Sequence, residues 1–545
     1  MNVVQELLPS TQPLAEEYIN NFAAVESLYE SDPTLDNSWM ERIKWLDESE
    51  NKRVDRTALV HRLKEYNLRY NPHPATQQLL SQLEQPGTSV IVGGQQSGLL
   101  TGPLLVIYKA VTIIKAAKAA SGKLGRPVVP VFWIAGEDHD WDEVNHSYVL
   151  SSDLQVKRIR ISHEEGTRLP VSLTKVNTEE WEHVLAELEQ LLPGSEFKSG
   201  LLELFNHFAE GSINLSECFA KLMGNWFGKH GLVLMDSSDP ELRKLEAPVF
   251  ESIILQNDAL RSAYKQSVRD LSLLGHEPQA EVAEDGANIF YISEQERLLL
   301  FKREGRFSDR KGKVSFSEDE LLTELRTHPE RFSNNVLTRP LMQDCVLPVL
   351  GAVLGPGEIA YWALTRRAFG QLDLKMPILL PRESFTVVEG TLQKHMEKYN
   401  IGWDDIRDRD IFHQKREAWL AKQDSLHIDS QFDKVKQSFA GMYDPLIALL
   451  GDIQNGLLKL GAANRDKIMD QIEYLRGKAK DALEKSNEAG LRHWDRIELS
   501  LFPLHKPQER VYNIFYYLNR FGMNWIDGLF DIPYDVTGKH RIIYL

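Results

Sequence analysis

Two strand-like runs, joined through a glycine loop and one apolar helix, constrain the fold of this chain more than any other feature. Ser89-Val-Ile-Val-Gly93 is a short β-branched run closed by glycines, the pattern of a strand buried on both faces. From Pro103 to about Ala120 the sequence reads as helix, with proline in the first turn, where its missing N–H leaves no bond unmade. Pro127 to Ala135 is uncharged and bounded by Gly125 and Gly136, which predicts a second strand. Strand, loop, helix and strand within about 45 residues make a βαβ unit, which demands a parallel sheet and an α/β core.

The flanking texture extends that core. Residues 1–88 read mostly as charged helix ending at Gln85-Pro86-Gly87. Segment 150–230 alternates short strands, one near Val156–Ile161, with acidic amphipathic helices. Gly231-Leu-Val-Leu-Met235 restores the parallel-strand texture before the helix cap Asp236-Ser-Ser-Asp239-Pro240. Ala287–Phe301 reads as a hairpin in an inserted subdomain, and Met376–Leu380 as another strand, followed by Pro381-Arg382-Glu383-Ser384.

From about residue 386 the character changes. Phe432, Val435, Phe439, Met442, Leu446, Leu449 and Ile453 alternate spacings of three and four. Leu457 and Leu460 continue after a one-residue phase change, and Ile468, Ile472, Leu475, Ala479 and Ala482 repeat the pattern. This heptad seam predicts a projecting coiled-coil hairpin with its turn at Gly461, and a homodimer formed through it. An ordinary core helix is the plainer alternative. Residues 501–545 return to globular texture and end in strand-like Arg541-Ile-Ile-Tyr-Leu545.

Composition narrows the function classes. Lys and Arg number 63 against 79 Asp and Glu, a formal net charge of −16. So acidic a balance argues against a broad nucleic-acid footprint but leaves room for a local basic pocket. Cys218 and Cys345 are too few for a four-thiolate metal site or a disulfide scaffold, so a reducing compartment is expected. No basic region followed by an apolar core opens the chain. The uncharged stretch Cys345–Gly357 is 13 residues long and holds two prolines, short of the ~20 that a membrane helix needs. The expectation is a cytoplasmic protein with neither membrane nor nucleic acid as partner.

Four segments carry residues suited to chemistry, and the first two follow predicted strands, where open parallel sheets bind ligands. In Gly93–Pro103, Gln95, Gln96 and Ser97 suit a polar ligand, while Gly98, Thr101 and Gly102 let backbone N–H groups at a helix start face a phosphate or carboxylate. The segment matches neither the P-loop nor the dinucleotide fingerprint, and a tight packing turn is its plainer reading. In Gly136–His146, five carboxylates and two histidines fill ten positions from Glu137. They could hold an amine, supply a general base from Asp138, His139 or Asp140, or bind a metal; in a helix, His139, Asp142 and His146 would share one face. A solvated acidic helix start is the alternative. In the third segment Arg339 and Gln343 suit a carboxylate, and Gly355-Pro-Gly357-Glu358 opens a helix running past Tyr361; a capped structural turn would look the same. In the fourth, Arg382 and Ser384 follow a strand and suit a triphosphate.

With these segments assembled, the sequence resembles the cysteine-adding enzyme family of bacillithiol biosynthesis across essentially its whole length. The resemblance is strongest in Gly94-Gln-Gln-Ser-Gly-Leu-Leu-Thr-Gly-Pro103, Pro130-Val-Phe-Trp-Ile-Ala-Gly-Glu-Asp-His-Asp140, Gly355-Pro-Gly-Glu-Ile-Ala-Tyr361 and Pro507-Gln-Glu-Arg-Val511. It implies a Rossmann-like parallel-sheet nucleotidyltransferase core with connecting insertions, related to class I aminoacyl-tRNA synthetases, plus an α-helical coiled-coil domain used in dimerisation. The expected division is a core over 1–385 with insertions at about 150–230 and 265–335, a coiled coil over 386–500, and a returning segment over 501–545. The implied reaction joins cysteine to glucosaminyl-malate through an amide, with ATP or another adenine nucleotide, accompanied by Mg, activating the cysteine carboxylate and no metal cluster.

On that reading Asp138, His139 and Asp140 are catalytic. Gln95, Gln96, Ser97, Asp142, His146, Arg339, Gln343, Glu358 and Tyr361 bind substrate. Gly98, Thr101, Gly102, Gly355, Gly357, Arg382 and Ser384 bind the nucleotide. Two other readings stay open: a metal-dependent hydrolase built on His139, Asp142 and His146, and a dimeric scaffold without catalysis.

Overall fold

The computed structural model describes residues 2–6, 12–162 and 168–545. It divides into two units, Met1–Val388 with Leu501–Leu545, and Glu389–Ser500.

The first unit is built on a five-stranded, all-parallel sheet: β1 (Ser89–Gln95), β2 (Val128–Ile134), β3 (Val233–Asp236), β4 (Val349–Leu354) and β5 (Ile378–Pro381), in the order β5-β4-β1-β2-β3. All seven residues of β2 are buried, as are the first six of β1, which is why these strands read as unbroken apolar runs rather than alternating ones. Helix α1 (Leu104–Leu124) makes the crossover from β1 to β2, closing the predicted βαβ unit. It is apolar nearly all round and buried over most of its length. The chain then winds outwards through β3, returns, and adds β4 and β5 on the other side of β1. The strand order therefore reverses between β1 and β4, and the crevice at their carboxyl ends is where such sheets take ligands.

Three further sheets decorate this core. The predicted hairpin is real: Gly286–Ile292 pairs antiparallel with Arg297–Arg303, inside a five-stranded sheet completed by Arg306–Ser308, Ser315–Ser317 and Phe332–Asn334. His146–Leu150 pairs with Val156–Arg160. The returning segment supplies His540–Tyr544, which lies between Asn2–Gln5 and Ser384–Val388.

The second unit carries a helical hairpin of α2 (Ile428–Ile453) and α3 (Asn455–Ser486). Antiparallel pairing is fixed by Tyr443 Oη donating to Asn464 Oδ1 (2.7 Å) and by Arg476 reaching Asp429 (2.8 Å) and Asp433 (2.7 Å). Two sequence expectations are corrected here. The turn falls at Gln454, not Gly461, which lies inside α3 and is buried against α2. A Cβ there would sit 3.2 Å from Ile447 Cγ1, so glycine serves close helix approach rather than a bend. Most of the predicted seam on α2 is also not the internal contact. Val435, Met442, Leu446, Leu449 and Ile453 are exposed, while the neighbouring stripe that includes Tyr443, Ile447 and Leu450 packs inwards.

Candidate active site

A cavity of about 590 Å³ opens at the strand-order reversal, lined from the carboxyl ends of β1 (Gly94, Gln95, Gln96), β2 (Ala135, Glu137 to Asp140), β4 (Gly355 to Glu358) and β5 (Arg382). This is the size of a small-molecule site. Its remaining wall comes from α1, the antiparallel insertion, Arg339, Tyr361 and Arg510 of the returning segment.

One side is acidic. Gly136 lets the loop after β2 lie on the end of β3, because a Cβ there would stand 2.5 Å from Asp236 Oδ1. The loop is tied down by Val171 N donating to Asp138 O (2.7 Å) and Ser172 N to Gly136 O (3.0 Å). Asp138 Oδ2 accepts from Gln96 Nε2 (2.7 Å), and Asp138 Oδ1 from His139 N (2.8 Å). Arg297 Nη1 approaches Asp138 Oδ1 (3.5 Å) and His139 Nδ1 (3.2 Å). Burial would raise the Asp138 pKa, but the His139 hydrogen bond, the Arg297 charge and the Gln96 amide together hold it well below the usual carboxylate range. Asp140 is exposed and carries no side-chain hydrogen bond among the described residues. Beneath this rim, Arg243 bridges Glu137 and Glu246 inside the protein, and burial pushes Glu246 up to about 7.

The other side is cationic but internally matched. Lys109 of α1 donates to Gly94 O (2.8 Å), Gln95 Oε1 (3.1 Å) and Glu358 Oε2, so one ammonium pins the end of β1 to the helix that follows β4. Glu358 also accepts from Gly355 N (2.8 Å). Burial works against its charge, yet Lys109 and Arg339 hold its pKa low. Arg339 donates to Tyr361 Oη, whose pKa burial raises to about 12. Arg382 pairs with Glu509. Arg510 lines the cavity, is exposed, and makes no ion pair among the described residues.

Eleven of the residues singled out in the sequence meet here: Gln95, Gln96, Asp138, His139, Asp140, Arg339, Gly355, Gly357, Glu358, Tyr361 and Arg382. Eight do not line the cavity. Ser97 Oγ shares a hydrogen bond with Ser216 Oγ (2.7 Å), and Gly98 packs on Gly102. The turn through Leu100 and Thr101, both at positive φ, is filled by Asn513, whose Nδ2 donates to Leu100 O (2.8 Å) and Gly102 O (2.6 Å). Leu104 N at the start of α1 donates to Tyr512 O (2.9 Å). The returning chain thus occupies the cradle read as an anion site for Gly98, Thr101 and Gly102. Gln343 is buried in the helix Arg339–Val346, and Ser384 Oγ meets His540 Nδ1 (2.7 Å).

Asp142 and His146 are corrected as well. The helix after β2 is a single turn, Trp141–Val144, so His139 precedes it and His146 begins a strand. Asp142 turns to Arg160 (3.2 Å) and His146 to Arg158 (3.1 Å). The two-histidine metal arrangement is not formed. The donor atoms that do lie within 4.8 Å of one another are those of Asp138, His139 and Asp140, and the first two already face Arg297.

Lys109, Arg297 and Asn334 are cavity residues absent from the sequence reading, while Glu137 and Arg510 lay in segments it singled out without being given a role. Lys109 had a signal: of the four lysines in this helix, it and Lys115 fall within the apolar run from Leu104 to Ala117, and a lysine buried there needs a partner.

Comparison with known proteins agrees with this architecture. Residues 1–383 match the family described as Bacillithiol biosynthesis BshC, N-terminal Rossmann-like domain, and residues 385–545 match Bacillithiol biosynthesis BshC, C-terminal coiled-coil domain. Curated relatives carrying the name "Putative cysteine ligase BshC" include one from Bacillus cereus (strain G9842), 35% identical over 99% of this chain and 100% of its own. Others come from Bacillus thuringiensis subsp. konkukian and Bacillus anthracis, each 34% identical over the same shares. These likenesses support neither a metal-dependent hydrolase nor a catalytically silent scaffold. The chain belongs to the BshC family of bacillithiol biosynthesis, a family of cysteine-adding ligases with a Rossmann-like core and a coiled-coil domain.

Proposed function

We propose that the cavity joins the carboxylate of cysteine to the amine of glucosaminyl-malate, forming an amide. The observation that supports this most is the division of one cavity into an acidic rim at β2 and a cationic wall at β4 and β5, since the reaction brings an amine to a carboxylate. The acidic rim draws the amine in as ammonium. With a pKa near ~8 the ammonium gives one proton to solvent to free its lone pair, and Asp140, with its carboxylate unengaged, takes the second as the amine attacks, for which a modest base suffices. Asp138, pinned by Gln96 and Arg297, is too weak a base for that step and instead fixes the rim's geometry.

A carboxylate is inert until oxygen becomes a leaving group, and ATP or another adenine nucleotide would supply that activation. Arg339, Arg382 and Arg510 fit a phosphate by charge, and the backbone at Gly355 and Gly357 leaves room beside them. Arg510, unpaired, is best placed to take the first anionic contact. We further propose a homodimer formed through the exposed α2 stripe, in the cytoplasm, acting on small molecules and not on nucleic acid. No helix among the described residues is long and apolar enough to cross a membrane.

The test is reconstitution. Purified protein, cysteine and glucosaminyl-malate are combined with and without ATP, and the amide product and nucleotide consumed are counted by mass spectrometry. Product with one nucleotide used per amide is the expected result. Product without nucleotide would remove the activation step, and no product under either condition would remove the assignment.

A further inference from the structure

Asn334, Asn335 and Val336 wall the cavity from the antiparallel insertion, and nearly all the polar side chains of the segment Ser333–Thr338 are consumed by the fold. Ser333 Oγ accepts from Arg297 Nε (2.9 Å). Asn335 Nδ2 donates to Asn288 Oδ1 (3.1 Å), while Asn335 Oδ1 accepts from Leu337 N and Thr338 N (3.0 Å each). Thr338 Oγ1 donates to Asn288 O (2.8 Å). Asn334 stands apart. Its backbone is engaged, opposite Ile289 in the sheet and accepting from Arg297 Nη2 (2.6 Å). The residue is 2% exposed and lines the cavity, yet neither its Nδ2 nor its Oδ1 has a hydrogen-bond partner among the described residues.

A buried amide unpaired at both ends is costly, and the large majority of buried polar side-chain atoms are paired. The local fold is complete without this side chain, and because the residue lines the cavity, a group bound there is placed to satisfy it. That group must offer an acceptor and a donor side by side. A carboxylate only accepts and an ammonium only donates, and either would leave half the amide unpaired; a hydroxyl does both. The corner is also matched in charge, because Arg297 faces Asp138 and is stacked over Phe290 at 3.8 Å. An uncharged polar group suits it better than an ion.

We infer that Asn334 reads the ring hydroxyls of the sugar half of glucosaminyl-malate, and so sets the enzyme's choice of amine substrate. The inference rests on the ligase reading above. Within that reading cysteine has no hydroxyl to offer, and the nucleotide with its ribose belongs to the cationic wall at β4 and β5, which assigns this corner beside Asp138 to the amine substrate and leaves Asp140 to the amine itself.

The experiment compares Asn334→Leu, which keeps the volume and removes both polar ends, with Asn334→Asp, which keeps the acceptor and loses the donor. Steady-state kinetics are measured for each substrate, together with melting temperature and calorimetric titration of glucosaminyl-malate into each protein. Asn334→Leu should melt at or above the parent temperature, because an orphaned amide is gone. Its KM for glucosaminyl-malate should rise at least about tenfold with the KM for cysteine and nucleotide unchanged. An analogue lacking the recognised ring hydroxyl should lose the same factor against the parent and nothing further against Asn334→Leu, the non-additivity that marks direct contact. Asn334→Asp should show the same split in KM. The inference is overturned if KM moves for cysteine or the nucleotide instead, if no KM moves, or if Asn334→Leu melts lower with all parameters uniformly reduced. Should the parent form no amide, the ligase reading fails, and the titrations decide this inference alone: tight binding to the parent and weak binding to both variants supports it, equal binding refutes it.

Discussion

Arg382 and Glu509 lie 127 residues apart and meet as a two-pronged buried ion pair, Nη1 to Oε2 at 2.9 Å and Nη2 to Oε1 at 2.6 Å. Arg382 lines the cavity, so the carboxylate of the returning segment aims a cation of the site. Removing one partner strands the other, which typically costs about 3–5 kcal/mol, whereas replacing both by apolar groups of similar volume is often neutral. Glu509→Gln should therefore lower stability in urea titrations by that order and depress amide formation. The double variant Arg382→Met with Glu509→Leu should recover most of the stability and none of the activity. A stable, active Glu509→Gln protein would contradict this account.

The acidic rim separates two roles. Asp140→Asn should lower turnover by ~10²–10⁴-fold with its melting temperature unchanged, the signature of a lost general base. Asp138→Asn keeps the Gln96 contact but weakens the hold on Arg297, so KM for the amine substrate should rise more than turnover falls. Equal effects of both substitutions on turnover would return the base role to Asp138.

His540 gives the fold a predictable acid response. Its ring is held between Ser384 Oγ at Nδ1 and Thr386 Oγ1 at Nε2 (2.7 and 2.9 Å), and burial, with Arg382 and Arg541 nearby and only Glu509 opposing, pushes it down to about 4. An unfolded histidine begins to charge near 6.5. Between those values the unfolded chain takes up a proton that the folded chain does not. This contribution to stability is whole above about pH 6.5, declines as pH falls towards 4, and is flat below, for a loss of roughly 3 kcal/mol. His540→Gln should flatten urea-measured stability across that window; an unchanged slope would assign it to other groups.

The hairpin offers a clean separation of surfaces. Leu446 and Leu449 are exposed on α2, whereas Ile447 and Leu450 face α3 around Gly461. Leu446→Glu with Leu449→Glu should leave helicity by circular dichroism intact and shift sedimentation to the monomer. Ile447→Glu with Leu450→Glu should instead reduce helicity, because charges would enter the hairpin's own contact. A folded dimer that survives the first pair of changes would place the dimer contact elsewhere.

Cys218 and Cys345 are buried, and that burial pushes each thiol up to about 12. Neither supplies thiolate at neutral pH. Native protein treated with iodoacetamide should keep its activity and its mass, and modification should require denaturant.

The parallel core was legible because its signals are local. Strands buried on both faces announce themselves as apolar runs, and glycine after a strand marks where backbone must pass close to backbone, as Gly136 does against Asp236. That was enough to bring Gln96, Asp138 and Glu358 into one cavity. The losses are of two kinds. Arg297 and Asn334 arrive from an inserted sheet, and Arg510 from a returning tail whose motif was noted but not placed; no periodicity reports which distant segment will close a wall. The glycine loop before α1 misled because its composition suits an anion equally well as it suits Asn513. In the hairpin the three-four spacing was read correctly, but two adjacent stripes share it, and only the turn position decides which faces inwards.

The bond from Asn513 to Leu100 spans 413 residues, and that from Glu509 to Arg382 closes the same end of the molecule. During synthesis the five-stranded sheet has all its strands once residue 381 has emerged, yet the loop after β1 still lacks its filler and Arg382 still lacks its aim. A nascent chain at that point carries every strand of the sheet but not the residues that fill the loop and aim the arginine, which arrive only with Glu509 and Asn513. A ribosome that stalls in the hairpin therefore leaves behind the sheet's strands without a finished site.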